Sequence, residues 1–208
     1  MNRMSPTEIA AWCEEPFLTI TDAGAAALFD PTPTVASLAT FLDGLQFGSR
    51  KGGVYLYVLA NQIHPDWNER PNPILAHLAR HLWCEGRGGS AIEEFGLTDE
   101  WDIYPDDLLD QMWPFRCSPV LMNPDELAAF RGLPERFTVW RGGPRDEVRY
   151  GNSWTTDRAR AEWFAARREN GCVAWRRPHK ADVVAYVCDR GEAEIILFSP
   201  GPTPRSPG

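Results

Sequence analysis

Residues 191–197 read GEAEIIL and set two carboxylates one residue apart at the start of an apolar run. The apolar residues Ile195, Ile196 and Leu197 are typical of a buried strand. Alternate side chains of an extended strand share a face, so we expect Glu192 and Glu194 to lie side by side. Two like charges repel at that distance, and the pair therefore indicates a site that uses both carboxylates.

Composition limits the classes of function that the chain can have. It has 208 residues, of which 43% are hydrophobic and 12% are aromatic, so a folded core is expected rather than disorder. The formal net charge is −8, which disfavours a broad nucleic-acid-binding surface. A small basic site remains compatible with this charge.

The sequence predicts a cytoplasmic protein with reduced thiols. No apolar run is long enough to cross a bilayer, and the N-terminus lacks the apolar core of a signal peptide. The five cysteines are odd in number and scattered, which favours free thiols over a disulfide framework. No pair of cysteines has the spacing of a usual structural zinc site.

The first 130 residues are expected to be mostly helical. Four segments carry helix signals, while GGVYLYVLANQI (52–63) fits either a strand or a buried helix. The segments are SPTEIAAWCEE (5–15), TVASLATFLDGL (34–45) with a stop at Gly48, NPILAHLARHLWCEG (72–86) and NPDELAAFRGLP (123–134). In the last of them, Asn123 is the expected N-cap and Gly132 the expected stop.

The pattern changes to short β-rich runs in residues 131–199, with one helix, TDRARAEWFAARREN (156–170), between them. Residues 200–208 contain four prolines and are expected to be a disordered tail. The predicted fold class is therefore α+β, with a helical N-terminal part packed on a small β-sheet core.

Three polar features occur in a fixed order in the β-rich part. Arg141 follows the apolar run FTVW and precedes two glycines, an arrangement that suits an anion-binding arginine. Ser153 lies on a strand that leads directly into a helix, for which Thr156 and Asp157 are candidate N-caps. The pair Glu192 and Glu194 is the third feature.

This order resembles the arginine–serine–glutamate class of mono-ADP-ribosyltransferases. Members of that family have an arginine ending the first core strand, a Ser-Thr-Ser-like strand and a Glu-x-Glu motif at the start of a late strand. The resemblance covers residues 133–198, through VWRGG, NSWTT and GEAEIIL. It implies a split β-sheet core that uses NAD as a substrate and needs no metal.

The resemblance also implies catalytic roles for both carboxylates. Glu194 would stabilise the positively charged ribose that forms as the bond to nicotinamide breaks, by bonding the ribose 2′-hydroxyl. Glu192 would orient or deprotonate the incoming acceptor. A carboxylate at this position favours a cationic acceptor, so protein arginine is the first choice and a nucleic-acid base remains open.

The remaining matched residues would bind NAD. Arg141 would hold a phosphate, and the backbone of Gly142 would contact the nicotinamide amide. Ser153 would bond the nicotinamide ribose or brace Glu194, and Thr155 occupies the last position of the serine motif. Trp154 departs from the family pattern at the middle position, and the short CDRG segment before Glu192 leaves the acceptor open.

Other functions stay open at this point. The chain could be an NAD glycohydrolase or a non-catalytic binding module on the same scaffold, and a transferase could act as a toxin or effector. Residues 1–130 could belong to the catalytic lobe or dock a target or an inhibitory partner. The class of the superfamily that uses His and Tyr is disfavoured, because none of the histidines (64, 77, 81 and 179) lies in the VWRGG position.

Three further clusters have simpler explanations. His77, His81 and Cys84 share one helix face, which more often packs than binds zinc. The acidic segment 97–115 is expected to be a solvated helix face rather than a cation site. The basic segment WRRPHK (175–180) fits the charged end of an edge strand, with assistance to pyrophosphate or nucleic acid as the alternative.

Overall fold

A computed structural model of the chain describes residues 18–47, 56, 57, 60, 71–85, 105–188, 191 and 193–198. Within these residues there are six α-helices and two antiparallel sheets, which confirms the α+β class. The chain divides into two compact units, Met1–Phe115 and Arg116–Gly208. The predicted helix at 5–15 and the predicted disordered tail at 200–208 lie outside the described residues.

The described N-terminal unit contains a short sheet and four helices. Strand β1 (Leu18–Ile20) pairs antiparallel with strand β2 (Leu45–Phe47). The helices are α1 (Asp22–Leu28), α2 (Val35–Asp43), α3 (Pro73–Glu85) and α4 (Pro105–Met112), followed by a 3₁₀ turn at Trp113–Phe115. The expected helical character is therefore interrupted by one strand pair.

Helix α2 ends earlier than the sequence pattern predicts. Gly44 is its C-cap, and its N–H donates to the carbonyl oxygens of Thr40 and Phe41. The predicted stop at Gly48 is wrong, because Leu45 already belongs to β2 and pairs with Ile20. The apolar side chain of Leu45 fits the helical spacing equally well, so periodicity could not separate the two elements.

The apolar stripes of the helices form the core of this unit. Leu28 and Phe41 are fully buried, and so are Ile74, Leu75 and Leu108. From the ambiguous segment 52–63, Leu56, Tyr57 and Ala60 are helical and buried. In α4, Leu108, Leu109 and Met112 are buried while Asp106 and Asp110 are exposed, as expected for a solvated acidic face.

The C-terminal unit contains a helix that the sequence pattern places in the N-terminal part. Helix α5 (Pro124–Gly132) has the predicted N-cap, Asn123, which also forms a capping box with Glu126. Glu126 is fully buried, and its Oε1 also accepts the N–H of Cys188, at 2.9 Å. The structure divides the chain at 115/116 rather than at the predicted 130/131, and Cys117 and Met122 are hydrogen-bonded to Val184 and Tyr186 of the sheet that follows.

Five antiparallel strands form this second sheet. They are β3 (Val139–Pro144), β4 (Ser153–Thr155), β5 (Gly171–Arg176), β6 (Val183–Val187) and β7 (Glu194–Leu197), in the spatial order β5-β3-β4-β7-β6. Helix α6 (Arg158–Ala165) connects β4 to β5 and packs on β3, and a 3₁₀ turn at Lys180–Asp182 precedes β6. Strand β5 is an edge strand, as predicted for the segment that contains Trp175.

Strands β6 and β7, at the end of the sheet opposite to β5, contain most of the buried apolar side chains of the sheet. All five residues of β6 are buried, and so are Ile195, Ile196 and Leu197 of β7. Among the described helices, none is long and apolar enough to cross a membrane.

Candidate functional site

The strand order brings the three sequence motifs together. Arg141 lies on β3, Ser153 on β4 and Glu194 on β7, and these three strands are neighbours in the sheet. Ser153 pairs with Ile196, and Thr155 pairs with Glu194. Residues more than fifty positions apart in the chain thus meet at one region of the sheet.

The pairing between strands β3 and β4 ends next to Arg141. The β3–β4 ladder contains one residue pair, Trp140 with Thr155, whereas β3 pairs with β5 along its whole length. The Arg141 guanidinium reaches towards β4 beyond this pair, where its Nη1 donates to the carbonyl oxygen of Ser153 at 2.7 Å. Arg141 lies within β3 rather than at its end, which corrects the sequence prediction.

A small recess, here called the arginine socket, holds this guanidinium and consists of Gly151, Ser153 and Trp154. A Cβ at Gly151 would collide with the guanidinium of Arg141, so only glycine leaves room for it. The indole N–H of Trp154 donates to the carbonyl oxygen of Gly151 at 2.7 Å and holds that turn in place. Trp154 departs from the family motif, yet it is buried and supports the arginine.

Burial and the neighbouring charges shift the pKa of Arg141 in opposite directions. Burial lowers the pKa of its guanidinium, and the negative charges of Glu194 and Glu147 oppose that shift. The guanidinium carbon of Arg176 lies 4.3 Å from the ring centroid of Trp154. The pKa of Arg176 is also lowered, first by burial and then by the positive charge of Arg141. Two guanidinium groups and two carboxylates therefore interact electrostatically here, and the guanidinium groups suit an anionic ligand.

Glu194 is the first residue of β7 and is half-buried. The preceding residue, Ala193, has a φ of 45°, in the left-handed region that non-glycine residues rarely adopt. Its carbonyl oxygen accepts the N–H of Thr156 at 3.2 Å, which holds this conformation. The backbone is not extended at Ala193, so the alternation of side chains along a strand cannot place Glu192 and Glu194 on one face, and that argument was wrong. Glu192 itself lies outside the described residues.

The serine-motif residues differ in their surroundings. Ser153 is half-buried, while Thr155 is 7% exposed and its Oγ1 accepts the N–H of Asp157 at 3.0 Å. Asp157 is the N-cap of α6, accepting the N–H of Ala159, which resolves the choice between Thr156 and Asp157. Thr155 therefore serves the turn into the helix.

Gly142 marks the closest approach of helix α6 to the sheet. A Cβ at this position would collide with the carbonyl oxygen of Ala161 and the backbone nitrogen of Ala165. Both atoms belong to the helix backbone, so neither can move aside alone. This packing requires glycine at 142, independently of any contact of its backbone with a ligand.

The variant Gly142→Ala is expected to lower the free energy of unfolding by about 1–3 kcal/mol, because the added methyl must push α6 away from β3. Chemical denaturation monitored by circular dichroism measures the change. Gly132→Ala is the matched control, since a Cβ at Gly132, near the end of α5, would meet no atom within 4 Å. Equal stability of the two variants would contradict the close approach at Gly142.

A polar cluster that the sequence did not suggest lies beside β7. Tyr186 of β6 pairs with Ile195, and its hydroxyl interacts with Cys188 and Thr156. Burial raises the pKa of Tyr186, and the hydrogen bond with Cys188 raises it further. The backbone N–H of Thr156, directly after β4, also donates to the carbonyl oxygen of Ala193. The cluster therefore connects β6 and the end of β4 to the residue that precedes Glu194. The sequence signal was weak, as Tyr186 stands inside an ordinary apolar run.

The helix face that the sequence offers as an alternative zinc site lies on α3. His77, His81 and Cys84 lie on α3 at intermediate exposure. Across the ranges that the structure describes, no three His, Cys, Asp or Glu side chains form a group that could hold a metal ion.

Comparison with known proteins identified no relative: the chain matches no protein-family model, no curated protein and no solved structure.

Proposed function

We propose that this protein is a cytoplasmic NAD-dependent mono-ADP-ribosyltransferase, a toxin or effector that moves ADP-ribose from NAD to a macromolecular acceptor. The observation that carries the proposal is the meeting of Arg141, Ser153 and Glu194 on three neighbouring strands. These are the residues through which the sequence resembles the arginine–serine–glutamate class. The split between β3 and β4 beside Arg141 supports a ligand site at that point of the sheet.

The side chains of this region fit the chemistry of NAD. The half-buried guanidinium of Arg141 offers a charge-assisted fork to a phosphate. The hydroxyl of Ser153 offers a hydrogen bond to a ribose, and the backbone of Gly142 lies beside the same split. Arg176 adds a second positive charge close to the first.

Glu194 is the proposed catalytic residue. When the bond between nicotinamide and ribose breaks, its electron pair neutralises the pyridinium ring, so nicotinamide leaves without needing a proton. The positive charge that develops on the ribose is stabilised by a carboxylate more strongly than the ground state is. Glu192 would then orient the acceptor and take up its proton as the new bond to the ribose forms.

Protein arginine remains the first choice of acceptor because a carboxylate can hold a guanidinium through paired hydrogen bonds. That choice depends on Glu192, whose surroundings lie outside the described residues. An inhibitory partner protein would be consistent with a toxin or effector, and the N-terminal unit is a candidate docking region for such a partner or for the target.

Incubation of the purified protein with NAD labelled in the adenylate part, together with a cell lysate, tests the proposal. We expect nicotinamide release and label that is bound to macromolecules and removed by protease digestion. Label removed by nuclease would assign a nucleic-acid acceptor, and label found only in free ADP-ribose would identify an NAD glycohydrolase. Absence of turnover with every lysate would overturn the enzymatic proposal in favour of a binding module.

A further inference from the structure

The charge of the chain is divided unevenly between the two units. Residues 1–115 contain 6 Lys and Arg against 17 Asp and Glu, whereas residues 116–208 contain 15 against 12. Of those 15 basic residues, Lys180 is the one lysine and the others are arginines. The C-terminal unit is therefore positively charged, although the chain as a whole has a net charge of −8.

Helix α6 exposes two aromatic side chains on its outer face. Ala161 and Ala165 are buried, whereas Trp163 is 45% exposed and Phe164 is 37% exposed. The two rings meet edge to face, with their centroids 4.9 Å apart. The core of this unit does not use these rings, although large aromatic side chains are costly to leave in water.

Arg160 of α6 and Arg167 of the turn that follows the helix lie over these rings. The guanidinium carbon of Arg167 is 4.1 Å from the ring centroid of Trp163, and that of Arg160 is 4.9 Å from Trp163 and 5.5 Å from Phe164. Cation–π attraction keeps both charges next to the rings. Positive charge and aromatic surface are thus presented together rather than in separate patches.

A third exposed aromatic side chain of this unit, Trp175, lies on the edge strand β5. It is 67% exposed and pairs with Trp140 across β3 and β5. Paired residues of adjacent strands share a face, and Gly142, two residues from Trp140, contacts α6. Trp175 therefore projects from the face of the sheet that α6 covers. We call Arg160, Trp163, Phe164, Arg167 and Trp175 the aromatic–arginine surface.

We propose that the aromatic–arginine surface binds single-stranded nucleic acid. Proteins bind unpaired strands by stacking bases on aromatic rings and by placing arginines along the phosphate backbone. Both components are present here, and the positive charge of this unit complements a polyanion. The carboxylates of an acidic protein would form ion pairs with the arginines, but they would not stack on the exposed indole of Trp175. Bases of a duplex are stacked on one another, so a single strand is the better match.

The proposal does not rest on NAD chemistry, and its test contains no NAD. Fluorescence anisotropy of a labelled oligothymidylate of about 15 nucleotides measures binding at low salt. We expect Trp163→Ala and Trp175→Ala each to weaken binding by about 5- to 150-fold, the effect of losing one stacked base. Arg167→Gln should reduce the salt dependence, by about 0.7 in the slope of log affinity against log salt concentration.

Matched controls separate this surface from general effects. Val35→Ala removes an apolar side chain that is 54% exposed in the N-terminal unit, and Arg131→Gln removes an exposed arginine at the end of α5. Both variants should bind as the unmodified protein does. Trp175→Phe keeps an aromatic face and should retain most of the binding, and thermal unfolding of every variant confirms that it is folded.

Two results would overturn the proposal. One is the absence of oligothymidylate binding at low salt by the folded, unmodified protein. The other is binding of a polyglutamate peptide at least as tight as that of the oligonucleotide, together with no effect of the two tryptophan variants. That second result would assign the surface to an acidic protein partner.

Discussion

The variant Glu194→Gln is expected to lower nicotinamide release from NAD by about 10²–10³-fold and to abolish labelling of the acceptor to the same degree. Glutamine keeps the shape of the side chain and part of its hydrogen bonding, but it removes the negative charge. Hydrolysis and transfer pass through the same positively charged ribose, so both should fall together. Chromatography of released nicotinamide and counting of labelled acceptor measure the two activities in parallel.

Glu192→Gln is the matched variant for this experiment. If Glu192 addresses the acceptor, its loss should reduce transfer while water attack, and therefore hydrolysis, continues. An equal loss of hydrolysis in the two variants would refute this division of roles. Full activity of Glu194→Gln would refute the proposed function itself.

The variant Arg141→Ala is expected to weaken NAD binding by about 1.5–3 kcal/mol, which corresponds to about 10- to 150-fold in affinity. The guanidinium is half-buried and already oriented by the carbonyl oxygen of Ser153, so little conformational entropy is lost when it bonds a phosphate. Titration calorimetry with NAD measures the change. An unaltered affinity would refute the phosphate-binding role of Arg141.

Gly151→Ala tests the same role without removing the charge. The added Cβ would displace the guanidinium of Arg141 from the arginine socket, and the end of a flexible side chain can move at little cost to folding. We therefore expect weaker NAD binding with a nearly unchanged free energy of unfolding. Arg131→Ala, which removes an exposed arginine of α5, should leave NAD affinity unchanged.

Several elements could be predicted because their signals are local. Asn123 and Glu126 stand three residues apart and bond each other's backbone groups, so the start of α5 is encoded within four residues. Asp157 caps α6 in the same way, by accepting N–H groups two and three residues ahead. The apolar runs of β6 and β7 likewise identify buried strands without any knowledge of their partners.

Other expectations failed where an interaction with a residue distant in sequence overrode the local pattern. The apolar spacing of α2 continues through Leu45. The helix nevertheless ends at Gly44, because Leu45 belongs to β2 and pairs with Ile20 of β1. The alternation expected between Glu192 and Glu194 is interrupted at Ala193, whose positive φ is held by a hydrogen bond from Thr156. In both cases a partner distant in sequence determines the backbone, and periodicity carries no information about that partner.

By itself, the sequence determined the mixed α+β class, the N-cap of α5 and the residue types from which a site can be built. Only the tertiary structure decided that Arg141, Ser153 and Glu194 meet, that Gly151 and Trp154 shape the arginine socket, and that α5 belongs to the sheet unit. Caps and strand patterns depend on hydrogen bonds and burial within a few residues. The site depends on the order of strands in the sheet, which is set by packing between segments far apart in the chain.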